Sequence, residues 1–357
     1  MTRPQSTRRI RVGVLGGAGD AAEGHIRGYM EDPRAEVVAI WDIDRVRAEE
    51  RCRALSIPGA AESLDALLSR DDIEAVSVCT PDVLHAEHVV GALNSGKHVL
   101  CEKPLCTTRS DAARIVSAVR DSGRVFLGGH VYHFRPDYRA MVDAYRSGEI
   151  GEPWLVEGDY LSNLHSYYGP EGRTPWRSSP QSPQDILLGG GCHPMGLMRW
   201  ALGVEVEEVF AYANHKAEPL LPANDTYVLI MRFEDGTIGK LIAGAGSRGK
   251  APTGGHLTMY GTKGTLWGGK LYRYDDAGHR STVERDFAAE TASQLPRVRD
   301  TFQVHYWAEQ AEHFLDCIEG KATAMTNEVD AARVIAALTA GVESVESGKP
   351  VRVDNEF

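Results

Sequence analysis

Glycines, an aspartate, a lysine and a histidine stand in this chain at spacings that could support redox chemistry. The run Gly13-Val14-Leu15-Gly16-Gly17-Ala18-Gly19-Asp20 comes after an apolar segment and precedes a helical pattern. Glycines at such a bend let the backbone approach a pyrophosphate, and the N-terminus of the next helix favours negative charge. A tight strand-to-helix turn without a ligand also selects glycine, and Ala18 replaces the second glycine of the strict G-x-G-x-x-G spacing. Gly16, Gly17, Ala18 and Gly19 are the phosphate-binding candidates. Roughly 20 residues further on, the separation at which a carboxylate meets an adenosine ribose, a second apolar run ends in Asp42. Its charge would repel a 2′-phosphate, which favours NAD over NADP. Arg45 and Arg47 keep NADP open, and a helix N-cap is the alternative role for Asp42.

Two later segments end at the same expected sheet edge, Cys79-Thr80-Pro81-Asp82-Val83-Leu84-His85 and Cys101-Glu102-Lys103-Pro104. Ligands of open α/β folds collect at the carboxyl ends of the strands. A lysine at a strand end is ordinarily a solvated charge; beside Glu102 and Pro104 on a ligand edge, Lys103 is a candidate acid–base group. Further on, Asp185-Ile186-Leu187-Leu188-Gly189-Gly190-Gly191-Cys192-His193 places a histidine after a triple glycine at a helix start. An imidazole, with an ordinary pKa near 6.5, can take a hydroxyl proton as hydride leaves. The alternative for His193 is a satisfied structural histidine.

The elements that must position these residues fall into two rhythms. Strand-like runs at Arg11-Leu15, Glu36-Trp41, Ala75-Cys79, His98-Cys101 and Val125-Gly128 alternate with helical patterns near Glu23-Met30, Arg45-Leu55, Leu64-Leu68, Leu84-Asn94 and Arg109-Asp121. Parallel strands need crossover connections, so this pattern predicts a doubly wound parallel sheet over residues 1–128. After a helix at Asp137-Arg146 come longer alternating runs at Trp154-Leu161, Val204-His215, Thr226-Phe233, Ile238-Ala243, His256-Tyr260 and Lys270-Tyr274. These predict an open, mainly antiparallel sheet within an α+β domain spanning 129–357, closed by helices near Val304-Glu319 and Val329-Ser347. The Pro- and Ser-rich stretch Tyr168-Gln184 reads as a long surface loop.

The bulk properties exclude several partners. A chain of 357 residues suits two domains, and 42% hydrophobic with 25% charged residues is ordinary for globular proteins. A net charge of -11 argues against nucleic acid and for a small ligand. Scattered cysteines without a C-x-x-C pair suggest neither zinc nor disulfides and fit a reducing cytoplasm. No apolar run is long enough to span a membrane. Thr7-Arg8-Arg9-Ile10-Arg11 resembles a twin-arginine signal, yet Asp20 and Glu23 interrupt the adjoining apolar stretch and no small-residue cleavage site appears, so export is not expected.

The glycine turn, Thr80-Pro81, His85 and above all Glu102-Lys103-Pro104 resemble the glucose-fructose oxidoreductase / inositol dehydrogenase / MocA family, in the same order over nearly the whole chain. The resemblance implies a Rossmann domain, then an α/β domain whose open sheet supports homodimers or homotetramers, with substrate held between them. It implies that Lys103 hydrogen-bonds the reacting oxygen or relays its proton and that His193 is the catalytic histidine. Thr80, Pro81, His85, Glu102 and His130 would line the cofactor site. His130 stands where an asparagine is common and His133 where an arginine is common. With Tyr132 they make Gly129-Pro136 an expected pocket wall, the alternative being an ordinary crossover. Trp176 and Arg177 resemble a Trp-Arg element that reaches toward nicotinamide and substrate, with His165, Tyr167 and Tyr168 upstream as polyol partners.

The sequence also departs from the family. Gly189 replaces the usual aspartate four residues before His193, and Gly196 another three residues after it. Either His193 works with Lys103 and water, or a carboxylate such as Asp185 or Asp159 substitutes. The expected activity is NAD(P)-dependent hydride transfer to or from a secondary hydroxyl or keto carbon of a sugar, glycoside or cyclitol. A hydrolase or lyase that oxidises its sugar transiently with retained NAD is the alternative, and a regulator that has lost catalysis the third. His130, His133 and His193 show no zinc spacing, so no metal is expected.

Overall fold

The computed structural model describes residues 8–181, 184–248, 256–274, 278, 281–298 and 305–357. Thr7 of the arginine pair's motif, residues 182 and 183 of the expected loop, and Val304 at the expected helix start lie outside them. The chain forms two compact units, the first comprising 1–106, 110–131 and 296–329 and the second 107–109, 132–295 and 330–357.

In the first unit, strands β1 (Ile10–Leu15), β2 (Ala35–Trp41), β3 (Ala75–Val78), β4 (His98–Glu102) and β5 (Phe126–Gly129) form a parallel sheet in the order β2-β1-β3-β4-β5. Strand order reverses between β1 and β3, which makes the carboxyl ends of those two strands the switch point where ligands of such sheets bind. Helices α1 (Asp20–Met30), α2 (Arg45–Leu55), α3 (Leu64–Leu68), α4 (His85–Asn94) and α5 (Arg109–Ser122) supply the crossovers. Val12, Val14, Ile26, Tyr29 and Ile40 are buried in one core cluster with Phe314 and Leu315, which arrive from late in the sequence.

The second unit opens with α6 (Pro136–Arg146) and β6 (Pro153–Leu161), then α7 (Ile186–Gly189) and α8 (Cys192–Leu202), whose end at Gly203 is left-handed with φ 74°. Next come strands β7 (Val206–Asn214), β8 (Thr226–Phe233), β9 (Ile238–Gly244), β10 (His256–Gly261), β11 (Thr265–Trp267), β12 (Lys270–Tyr274) and β13 (Ser281–Asp286). Helices α9 (Phe287–Glu290), α10 (Trp307–Ile318) and α11 (Glu328–Ser347) and strand β14 (Val351–Arg352) complete the chain, α10 belonging to the first unit. The nine-stranded sheet runs β13-β12-β11-β10-β6-β9-β8-β7-β14 and is antiparallel except for the β6–β9 pair. Strand β11 is too short to read from sequence, and β13, exposed over most of its length, carries no apolar alternation.

One face of this sheet is covered by helices. On β8, Tyr227, Leu229, Met231 and Phe233 are buried, whereas Val228 and Ile230 are exposed. Gly158 on β6 is a point of contact with α8: a Cβ there would stand 2.7 Å from Pro194 Cβ. Residues of β6 with even numbers therefore face α8, and those with odd numbers face away.

Candidate active site

The glycine turn is built by tight backbone packing. Gly16 adopts φ 74°, and a Cβ on it would lie 2.6 Å from the Cys79 carbonyl oxygen. Gly16 and Gly17 both donate N–H bonds to the Trp41 carbonyl, at 2.8 and 2.9 Å. Gly19 is the N-cap of α1 and has no side chain with which to cap the first-turn N–H groups, the kind of helix start that receives an anion. Asp42 accepts the Ala18 N–H on Oδ2 (3.0 Å) and the Asp44 N–H on Oδ1 (2.9 Å), which leaves further lone pairs on both oxygens. Asp44 fills the helix-cap role on α2 that was the alternative for Asp42. Arg47 and Arg51 each donate to the Ala18 carbonyl at 3.3 Å. These side chains and this bare backbone fit a dinucleotide.

Next to the switch point, β4 delivers Glu102 and then Lys103, whose bond to Pro104 is cis. His85 ties the lysine segment to the neighbouring strand end, its Nδ1 lying 2.8 Å from the Pro104 carbonyl and its Nε2 2.8 Å from the Thr80 carbonyl. Thr80 Oγ1 in turn meets His88 Nδ1 at 2.8 Å. Glu102 is buried. Its Oε1 faces His25 Nε2 at 2.9 Å, and its Oε2 accepts the Lys103 N–H at 3.1 Å. Burial works against the Glu102 charge, but His25 and the Lys103 ammonium outweigh it and hold the carboxyl down at about 2. Burial likewise opposes a charged His25, and the neighbouring Cys79 sulfur and Glu102 carboxylate overcome it, raising the imidazole to about 10.

In the second unit, α8 begins immediately after the triple glycine and carries His193 at its second position. The imidazole is buried and stacks on two tyrosines, Tyr132 with ring centroids 4.4 Å apart and Tyr160 at 5.7 Å. Burial pushes the Tyr132 phenol well above its ordinary range. Gly190 makes this stack possible, because a Cβ there would overlap the Tyr160 ring. Gly189 has another neighbour: a Cβ on it would stand 2.5 Å from Cδ at the end of the Gln184 side chain.

The two carboxylates that could substitute for the absent aspartate have other surroundings. Asp159 is an odd-numbered β6 residue opposite His256 in the register, so it faces away from α8 and from the ring of Tyr160. Asp185 is the N-cap of α7, accepting the Leu187 N–H on Oδ1 (2.7 Å) and the Tyr227 hydroxyl on Oδ2 (2.6 Å).

The remaining candidates are more scattered. His130 is buried beyond β5, and its N–H reaches the Gly128 carbonyl at 2.8 Å. His133 packs on Trp200, with ring centroids 4.9 Å apart. His165 is half-exposed and lies 3.1 Å from both carboxylate oxygens of the buried Glu218. Trp176 and Arg177 share a 3-10 turn; the guanidinium sits 5.1 Å from the Trp176 ring centre and donates Nη1–H to Gln184 Oε1 at 2.9 Å. Among the described residues no group of three or more His, Cys, Asp or Glu could hold a metal ion, and no helix is long and apolar enough to cross a membrane.

Sequence reasoning missed His25, Tyr160 and Gln184. Only His25 left a signal, as a polar residue inside the apolar stripe Ala22, Ile26 and Tyr29 of α1.

Residues 10–130 match the model of an oxidoreductase family with an NAD-binding Rossmann fold, and residues 138–267 match the GFO/IDH/MocA C-terminal domain. The chain is 28% identical over 345 residues to a 1,5-anhydro-D-fructose reductase of Ensifer adhaerens, covering 96% of this chain and 98% of that protein. It is 32% identical over 231 residues to an inositol 2-dehydrogenase of Acidothermus cellulolyticus, an alignment covering 63% of each. The crystal structure of an oxidoreductase domain protein from Kribbella flavida superposes with a TM-score of 0.85 at 23% identity, over 97% of this chain and 100% of that one. Over both matched regions this chain therefore belongs to the glucose-fructose oxidoreductase / inositol dehydrogenase / MocA family of oxidoreductases, its residues 10–130 forming an NAD-binding Rossmann fold.

Proposed function

We propose that the enzyme transfers a hydride between NAD and a secondary hydroxyl or keto carbon of a sugar, glycoside or cyclitol, with Lys103 and His193 handling the hydroxyl proton. The observation that carries this reading is the position of Lys103 at the carboxyl end of β4, tied through His85 to Thr80 beside the glycine turn. Bound nicotinamide supplies the hydride acceptor or donor. Gly16, Gly17, Ala18 and Gly19 would hold the pyrophosphate and Asp42 the adenosine ribose. As a carbinol is oxidised, the Lys103 ammonium donates a hydrogen bond to the oxygen and the His193 imidazole accepts its proton. Residues up to 128 would hold the cofactor, and later residues, among them Tyr132, His165, Trp176 and Arg177, the polyol.

The bare face of the second sheet supports assembly. Tyr212, Ile230 and Ile238 are 72%, 56% and 51% exposed on neighbouring strands, and a second copy of the chain is the occupant proposed for them. Free cysteines throughout fit a reducing cytoplasm as the working compartment.

The test is to incubate the purified protein with NAD and a panel of cyclitols, aldoses and glycosides while monitoring NADH absorbance. Lys103→Ala should leave NAD affinity within a few fold and lower turnover by roughly 10²- to 10⁴-fold. A fully active Lys103→Ala enzyme refutes the role given to the lysine, and product without accumulating NADH would move the reading to a hydrolase or lyase that retains NAD.

A further inference from the structure

His25 has no part in the proton handling assigned to Lys103 and His193, yet it stands at the centre of a buried chain of polar groups. It projects from α1 among Ala22, Ile26 and Tyr29, all with no exposure, and is itself only 1% exposed. Packing alone gives an imidazole no advantage there over an aliphatic side chain, and a buried polar ring must find partners. His25 Nδ1 lies 3.1 Å from Ser77 Oγ on β3, and the Tyr29 hydroxyl lies 2.9 Å from the same Oγ. His25 Nε2 faces Glu102 Oε1 on β4 at 2.9 Å. One side chain thus joins the helix that starts at the glycine turn to the strands that lead into Thr80 and Lys103. The second oxygen of Glu102 holds the backbone N–H of Lys103 at 3.1 Å. From Tyr29 to Lys103 the bonds form an unbroken line.

We propose that His25 is a positioning residue for Lys103: by fixing the Glu102 carboxylate it sets the peptide from which the lysine departs and keeps one negative charge beside the ammonium. This rests on the reading of Lys103 as the proton-handling group. A carboxylate accepting one bond from an imidazole and another from a main-chain N–H cannot rotate without breaking one of them, so the lysine inherits a fixed origin. Ser77 and Tyr29 play the same part for the imidazole, fixing its ring plane. A purely structural polar plug would stabilise the fold and leave the chemistry of Lys103 untouched.

The two roles separate in the full-length protein. His25→Gln keeps an amide that can reach Glu102 but carries no charge. It should leave NAD affinity and substrate KM within a few fold, lower kcat by about 10- to 100-fold, and displace the pH–rate profile by about half a unit or more. The lysine side-chain NMR signal lost in Lys103→Ala should shift in His25→Gln protein free of NAD. Glu102→Gln should lower kcat as much, and adding His25→Gln to it should cost little more, because both act through one line of bonds.

A folded His25→Gln enzyme with unchanged kcat, pH profile and lysine signal overturns the proposal, even if its melting temperature falls. Should His25→Gln not fold, Glu102→Gln decides alone: unchanged kcat overturns, and lost kcat with preserved NAD affinity supports. An active Lys103→Ala enzyme would instead show that the reading of the lysine is at fault.

Discussion

The Gln184 carboxamide occupies the volume that a side chain on Gly189 would need: a Cβ at 189 would stand 2.5 Å from Gln184 Cδ and 2.7 Å from its Oε1. Arg177 holds the amide there, donating Nη1–H to Oε1 at 2.9 Å and accepting the Gln184 N–H on its carbonyl at 2.8 Å. The position four residues before His193, where the family resemblance implies an aspartate, is therefore not simply bare here. Its space is taken, by a neutral group linked to the Trp176-Arg177 turn.

Gly189→Asp alone should therefore overpack the site, costing about 1–3 kcal/mol and most of the activity. Combining it with Gln184→Gly should recover the stability. Urea denaturation of the single and double variants checks this, and equal destabilisation of both would show that the two positions do not compete.

The stack on His193 should be kinetically visible. His193→Ala should lower kcat by roughly 10²- to 10⁴-fold if the imidazole is the proton acceptor. Tyr160→Leu, which leaves the imidazole but removes one ring from beside it, should lower kcat about tenfold with little change in NAD affinity. Steady-state kinetics with one polyol would settle both, and unchanged kcat in His193→Ala would move the role to another group.

The buried His25–Glu102 pair makes stability depend on pH at both ends. His25 is raised from 6.5 to about 10 in the folded chain, so its contribution is complete below pH 6.5 and is lost as pH rises toward 10. Glu102 is lowered from 4.5 to about 2, so its contribution is complete above pH 4.5 and is lost as pH falls toward 2. The pair should stabilise the fold most between those limits, near pH 4.5–6.5. Urea midpoints measured across pH should show a loss on the alkaline side that His25→Gln flattens; parallel profiles would contradict it.

Gly16 is needed twice over, for its left-handed backbone and for the closeness of the Cys79 carbonyl. Gly16→Ala should cost about 1–3 kcal/mol and weaken NAD binding together with stability. Thermal melts with and without NAD would check it.

Much of this architecture was legible because local chemistry dictates it. The alternation of apolar runs and helices implied the parallel sheet, and the residues at its strand ends, Gly16, Thr80 and Lys103, mark where such strands must stop. The glycine-led entry to α8 was equally plain. What escaped was packing between distant segments. Nothing at Gln184 announces that it will lie over Gly189, and Asp159 and Tyr160 differ by one residue yet face opposite sides of a sheet whose register no single strand reveals. Gly24 and Gly28 look like flaws in α1, each costing about 1 kcal/mol against alanine. Their reason is Trp307: its ring would overlap a Cβ on Gly24, and its carbonyl would lie 2.8 Å from one on Gly28.

That groove in α1 bears on how the chain is made. The first helix leaves the ribosome early with a bare strip of backbone along one side, and the indole that fills it is translated almost three hundred residues later. Phe314 and Leu315, which complete the same core, arrive later still. The nucleotide-binding unit therefore stays unfinished while eight of the nine strands of the second sheet are synthesised, and a nascent chain halted before Trp307 would leave that apolar groove open to a chaperone.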